Sequence, residues 1–173
     1  MKLENEMIVL KPITDEYTEK IGDWRNKESV KKHFIYQKPF TIEGHRKWLK
    51  NMVATGKVAQ FIIFSKKDQK DVGSVFLRDI DDEHHKAEYG IFIGEDDARG
   101  KGVGTAAAEL ILKYGFEELK LHKIFLRVLA DNGRAVHSYE KAGFKKEAYL
   151  KDDVFIDGKY RDIILMAKFS EMR

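Results

Sequence analysis

Ala87-Glu88-Tyr89-Gly90-Ile91-Phe92-Ile93-Gly94-Glu95-Asp96-Asp97-Ala98-Arg99-Gly100-Lys101-Gly102-Val103-Gly104-Thr105 runs from an apolar strand through a charged arm into a glycine-rich helix start. Apolar residues then recur at Val103, Ala106, Ala107, Leu110, Ile111 and Tyr114, the three-and-four spacing of a buried helical face. The first backbone N–H groups of a helix have no partner inside it, and the macrodipole places about half a positive charge at that end. Gly100, Gly102 and Gly104 leave the main chain open to close approach, and Arg99 and Lys101 add charge beside it. The stretch reads as a cradle for phosphate.

Three kinds of cradle compete. A Walker loop needs four residues between its glycines and a Ser or Thr after its Lys; five residues separate Gly94 from Gly100, and Gly102 follows Lys101. Gly102-Val103-Gly104-Thr105-Ala106-Ala107 does fit the G-x-G-x-x-A dinucleotide fingerprint. In that fold, however, the first glycine ends the strand almost directly, whereas Glu95 to Lys101 intervene here, and little chain remains for further strand-helix units. The third is an R-x-x-G-x-G/A arm, met as Arg99 to Gly104 between a strand and an amphipathic helix. It resembles the acetyl-CoA pyrophosphate loop of the GNAT acetyltransferases.

The flanking chain bears on the choice. Met7 to Leu10 reads as a strand stopped at Pro12, Thr14 and Asp15 cap a helix carrying Tyr17, Ile21 and Trp24, and Trp24 to Phe40 is irregular. Thr41 to Gly44 caps a second helix bearing His45, Trp48, Leu49 and Met52 and ended by Gly56. Val58 to Phe64 and Val72 to Leu77 are strands joined by a charged turn, and a second turn, Asp79 to Lys86, leads into the Ala87 strand. After the helix from Gly102 to Leu119, His122 to Ala130 is apolar on both faces and so central. Asn132 opens a short helix, Gly143 ends it, and Asp157-Gly158 joins strands Tyr149 to Ile156 and Tyr160 to Lys168 as a hairpin. The expected fold is α/β, a single mixed sheet of about seven strands flanked by about four helices, in one domain over 1–173.

That order matches the GNAT fold throughout, and Asn132 to Phe144 looks like the family's N-x-x-A…Y-E-K-x-G-F segment. The branch resembled contains ribosomal-protein N-terminal acetyltransferases and spermidine acetyltransferase, whose members also end in a hairpin with a D-G-x-x-x-D pattern, here Asp157 to Asp162. The resemblance implies direct transfer of an acetyl group from acetyl-CoA to an amine, which suits a chain with no cysteine. It implies that the main chain at Ile91, Phe92 and Ile93 holds the thioester, that Arg99, Gly100, Lys101, Gly102, Val103, Gly104 and Thr105 hold the pyrophosphate, and that Asn132 and Lys141 contact the cofactor. Tyr139 matches the tyrosine that donates to the departing sulfur, a phenol of pKa about 10 being near a thiol in proton affinity; the plainer reading is a core aromatic. Glu88, alone in an apolar strand, is the candidate base, its pKa expected to be raised by partial desolvation; the plainer reading pairs it with His84, His85 or Lys86.

Composition sets outer bounds. With 173 residues, 43% hydrophobic and 12% aromatic, the chain suits one core. Its 32 Lys plus Arg against 29 Asp plus Glu are too balanced to announce nucleic acid or membrane partners. The polar Met1 to Met7 carries no signal peptide, so a cytoplasmic location is expected. Adjacent His84 and His85 lack patterned partners, and no metal site is expected.

The acceptor is less determined. Trp24-Arg25-Asn26 followed by His45-x-x-Trp48 resembles the arrangement in acetyltransferases acting on nucleotide-linked amino sugars, with rings to stack a base and Arg25 to grip phosphate; alternatively both tryptophans are buried anchors. The acidic residues Asp79, Asp81, Asp82, Glu83, Asp152 and Asp153 would suit a polyamine, and a peptide N-terminus is a further alternative. A small-molecule amine or peptide acceptor and a monomer or homodimer are expected. A non-catalytic acyl-CoA sensor on the same fold is the rival of another class.

Overall fold

Among the described residues, seven strands form one sheet: β1 (Ile8–Pro12), β2 (Ala59–Ser65), β3 (Lys70–Asp81), β4 (Lys86–Ile93), β5 (Lys123–Leu129), β6 (Lys145–Ile156) and β7 (Lys159–Phe169). They lie in the order β1-β2-β3-β4-β5-β7-β6, and every neighbouring pair is antiparallel except β4 with β5. The computed structural model describes residues 3–171; Met1, Lys2, Met172 and Arg173, which fall within the expected domain, lie outside the described residues. No helix among the described residues is long and apolar enough to cross a membrane.

Alternation along the strands divides the core in two, because successive side chains leave opposite faces of the sheet. Phe61, Ile63, Val75, Leu77, Ala87 and Tyr89 meet the long helix α4 (Val103–Glu117). The buried face of that helix sets Ala106, Ala107, Ala108 and Gly115 among Val103, Ile111 and Leu112, small enough side chains to let it lie close on the sheet. Ile62 and Phe92 point the other way, into a cluster with Ile21, Trp24 and Val30.

Five α-helices flank the sheet: α1 (Thr18–Arg25), α2 (Glu28–Lys31), α3 (Ile42–Trp48), α4 (Val103–Glu117) and α5 (Gly133–Lys141). The extra one is α2, a single turn inside the segment expected to be irregular; Val30, buried in the second cluster, holds it down. Thr14 makes no side-chain cap; instead the Thr18 hydroxyl donates to Asp15 Oδ1 at 3.0 Å. The Thr41 hydroxyl does cap α3, accepting from Gly44 N–H at 3.0 Å. β3 runs to Asp81 and β6 begins at Lys145, both longer than expected, because pairing with β4 and β7 overrides the weak strand preference of their charged ends. At the last hairpin Asp157 and Gly158 both have positive φ, 50° and 74°, as a two-residue type I′ turn requires. Asp162, the last residue of the D-G-x-x-x-D pattern, accepts from the Tyr149 hydroxyl and from Asp152 N–H at 2.7 Å, pinning the irregular part of β6.

Trp24 is the hinge of the second cluster. It is 2% exposed, its indole N–H donates to Glu95 at 2.9 Å, and its ring lies edge-on to Phe92. A Cβ on Gly94 would stand 2.1 Å from Trp24 Cγ, so only glycine fits beneath the ring. Gly94→Ala should cost about 1–3 kcal/mol, the range for overpacking a core, read as a lower midpoint in chemical denaturation with unchanged slope. An unchanged midpoint would mean that the Trp24 packing is not the constraint described.

Candidate active site

β4 and β5 pair only at Lys86–Lys123, Ala87–Ile124 and Glu88–Phe125. Beyond Glu88 they part: β4 stays with β3 as far as Ile93, and β5 stays with β7 as far as Leu129. The break that a carbonyl-binding main chain needs is therefore a fork in the sheet, with Ile91, Phe92 and Ile93 along one edge of it. β4 keeps a regular register with β3 over those residues, so the opening comes from the departure of β5 and not from a bulge. The side chains of Ile91 and Ile93 pack on the first cluster and Phe92 in the second, which leaves the main chain to face the fork.

Past the end of β4, a 3₁₀ turn (Asp96–Ala98) carries the arm to α4. Gly100 and Gly102 have φ of 73° and 82°, the left-handed region that glycine alone enters at little cost. The first helical bond is from Ala106 N–H to Gly102 O, 3.0 Å, so the N–H groups of Val103, Gly104 and Thr105 lead into the helix without an intrahelical acceptor. Nothing lies within 4 Å of where a Gly104 Cβ would stand. Val103 has a buried side chain and can offer only its main chain. Arg99 departs from expectation. Its guanidinium donates to Ile93 O at 2.8 Å and pairs with Asp96 at 3.0 Å, so it ties the arm to the end of β4 instead of standing free beside it. Lys101 is exposed.

On the far side of the fork, the Asn132 side chain accepts from Ala135 N–H at 3.3 Å and caps α5, and Gly143 follows that helix at φ 94°. Tyr139 packs edge-on against Tyr89, the first β4 residue past the fork, with ring centroids 5.8 Å apart, and against Phe144 at 6.1 Å. Burial pushes its hydroxyl up to about 12. The hydroxyl of Tyr89 is buried with no hydrogen-bond partner. Lys141 is exposed at the end of α5.

Glu88 stands at the base of the fork and is 6% exposed. Arg78 of β3 grips both its oxygens, Nε to Oε2 at 3.2 Å and Nη2 to Oε1 at 2.9 Å, and Arg127 of β5 adds Nε to Oε1 at 3.0 Å. Burial alone would raise its pKa, but hydrogen bonds and charge from Arg78, then from Arg127, outweigh it and leave the carboxyl below the ordinary glutamate value. The expected raised pKa is thus reversed, and the partners are the two arginines and not His84, His85 or Lys86. Arg78 and Arg127 were missed in the sequence. Arg127, a lone charge between apolar residues of its strand, carried the signal that singled out Glu88; Arg78, in the charged end of β3 beside Asp79, carried none.

The residues expected to meet the acceptor separate into two groups. Trp24 is enclosed as described, and His45 is 7% exposed, with Nδ1 2.9 Å from the Thr18 hydroxyl and its ring against Phe40; both are packing residues. Trp48 donates its indole N–H to Gln60 at 3.0 Å. Arg25 and Asn26 line a small pocket with Lys31, Phe34, Tyr36 and Lys38. The acidic residues 79–83 lie around the β3–β4 turn, at the end of β4 away from the open part of the fork. No group of three or more metal-binding side chains occurs among the described residues.

Residues 8–145 match the family profile described as an acetyltransferase (GNAT) domain. The spermidine N(1)-acetyltransferase of Escherichia coli K12 is 41% identical over 102 residues, which are 59% of this chain and 54% of that protein. The matched part thus spans about half the length of that relative. Spermidine N-acetyltransferase from Vibrio cholerae, solved with CoA and spermine, superposes with a TM-score of 0.87 at 26% identity, covering 95% of this chain and 96% of that one. A dodecameric structure of the Vibrio cholerae enzyme superposes at 0.81, with 26% identity and 95% of each chain covered.

Glu88→Gln should destabilise the protein by about 1–3 kcal/mol, less than breaking a fully buried pair, because both arginines reach solvent. A carboxyl that is a stronger acid folded than unfolded contributes fully above its unfolded value and loses that contribution as pH falls through the folded one. The stability gap between wild type and variant should therefore hold near neutrality and narrow below the ordinary 4.5. A gap that widens on acidification, measured by denaturant titration across pH, would contradict the ion bridge.

Proposed function

The chain belongs to the GNAT acetyltransferase family, and on that premise we propose that it moves the acetyl group of acetyl-CoA directly to a primary amine. The observation that carries this reading is the fork between β4 and β5, with the glycine-rich helix entry beyond the end of β4 and Tyr139, on the helix that follows β5, packed against Tyr89 where the strands part. The donor fits the cradle: two left-handed glycines and the N–H groups of Val103, Gly104 and Thr105 at a helix N-terminus are suited to a pyrophosphate. Acetyl-CoA supplies an activated carbonyl, as a thioester, where the main chain of Ile91 to Ile93 borders the fork. Main-chain N–H groups there would stabilise charge developing on the carbonyl oxygen without reorganising.

Tyr139 keeps its proton throughout the physiological range. A phenol at about 12 is a weaker acid than a thiol near 8.5, so Tyr139 acts by donating a hydrogen bond to the departing sulfur, not by surrendering its proton outright. Glu88, held by two arginines below the ordinary glutamate value, is suited to positioning Arg78 and Arg127 rather than to general base catalysis, so the proton that the attacking amine must lose goes to solvent. The absence of cysteine accords with transfer in one step.

The relatives named above are spermidine acetyltransferases, and they support the polyamine alternative better than the amino-sugar reading. Assembly is extended in the same way: one relative is dodecameric, and β6, an edge strand, exposes Tyr149 and Phe155 beside Tyr160 of β7, an apolar face of the kind that subunits share.

The test is release of CoA in the presence of an amine panel that includes spermidine, a UDP-linked amino sugar and short peptides. Turnover on one of them is expected; binding of acetyl-CoA without turnover on any would favour the sensor. Tyr139→Phe should lower kcat by about 10²-fold, a typical share for a positioned proton donor, while leaving acetyl-CoA affinity unchanged. Undiminished turnover would remove Tyr139 from the reaction.

A further inference from the structure

Beside Tyr139 stands a second phenol whose hydroxyl the protein leaves unpaired. Tyr89 is 4% exposed, and its oxygen has no hydrogen-bond partner among the described residues. Buried polar side chains nearly always find a partner, because a group taken out of water and left unpaired loses its hydration and gains no bond in exchange. Phenylalanine would fill the same space without that penalty. The ring itself is ordinary core, packed in the first cluster with α4 and paired across the sheet with Leu77.

Position narrows what the hydroxyl is for. Tyr89 is the first β4 residue beyond the last pair with β5, at the point where the sheet opens. Two rings lie against it: Phe144, with centroids 5.4 Å apart, has no polar atom, and Tyr139, at 5.8 Å, has one. The two phenol oxygens are near enough for charge on Tyr139 to be felt at Tyr89, yet no hydrogen bond joins them. Tyr139 is only half-buried, so the pair leads from the interior outward. A phenol O–H donates one hydrogen bond, and its oxygen accepts as well. Once Tyr139 donates to a sulfur, its oxygen is still open to a donor, and the Tyr89 O–H is the one at hand.

Resting on the assignment of Tyr139 within the acetyltransferase reading, we propose that Tyr89 is a positioning residue for the departing sulfur: with CoA in the fork, the Tyr89 hydroxyl donates to the Tyr139 oxygen while Tyr139 donates to the sulfur. The series gives the orphaned hydroxyl its partner. It also serves Tyr139 twice. A donor at the phenol oxygen fixes which way the Tyr139 O–H points, and hydrogen bonds in series polarise one another where the dielectric is low. Neither phenol gives up its proton, since burial holds Tyr139 up at about 12 and Tyr89 well above the ordinary 10.

The test is calorimetric titration with CoA and with desulfo-CoA at about pH 9, where a thiol of pKa about 8.5 is mostly the thiolate that departs in the reaction. Wild type should bind CoA the more tightly of the two. Tyr89→Phe should cut that preference by about three- to tenfold, the scale of one hydrogen bond, while leaving desulfo-CoA affinity unchanged and the midpoint of chemical denaturation no lower. In a Tyr139→Phe background the same substitution should change nothing further. Full retention of the preference by Tyr89→Phe, or an equal loss with and without the Tyr139 hydroxyl, would overturn the proposal. Weaker binding of both ligands would overturn it too, by marking Tyr89 as a packing residue. If wild type binds the two ligands equally, Tyr139 does not meet the sulfur and this inference falls with that assignment; if it binds neither, the transferase reading falls as well.

Discussion

A single buried carboxylate, held between guanidiniums from the strands on either side, stands where the sheet divides. Glu88 is the last β4 residue paired with β5, and its side chain is gripped by Arg78 from β3 and Arg127 from β5. Below it the three strands form a continuous sheet; above it β4 and β5 go separate ways. An ion bridge is a costly way to join strands, since each charge must leave water and the net gain is small. Its value here is directional: a forked Arg–carboxylate contact fixes angle as well as distance. It defines the point at which the fork begins.

The two sides of the fork are also tied together above that point. Trp24 and Lys27, from α1 and the turn after it, bond to Glu95 and Gly94 at the start of the arm, and Ser29 donates to Asp96. Arg99 closes the circuit by donating to Ile93 O. The first helices and the glycine-rich arm therefore share one set of bonds, spread over residues about seventy positions apart in the chain.

What was legible in the sequence was what short-range chemistry dictates. The glycine entry to α4, the Asn132 cap, the left-handed Gly143 and the Asp157-Gly158 turn each rest on a few consecutive residues, and each stands where it was expected. The errors lie in long-range pairings. A lone glutamate in an apolar strand reads as desolvated and proton-hungry until Arg78 and Arg127 arrive from strands ten and thirty-nine residues away. For Trp24 a ligand-facing and a buried-anchor reading stay open in the sequence, because its enclosure by Phe92 and Gly94, like that of His45 by Phe40, joins residues that no local pattern links. The partners of Arg99, Ile93 O and Asp96, are likewise visible only once the arm is folded back on itself.

The account depends most on the fork being the place where the donor lies. A crystal structure of the protein grown with CoA should show the pantetheine running between β4 and β5 along Ile91 to Ile93, the pyrophosphate on the N–H groups at the start of α4, and the sulfur within hydrogen-bond distance of the Tyr139 hydroxyl. CoA bound elsewhere on the molecule, or β4 and β5 paired continuously past Glu88 and Phe125, would contradict it.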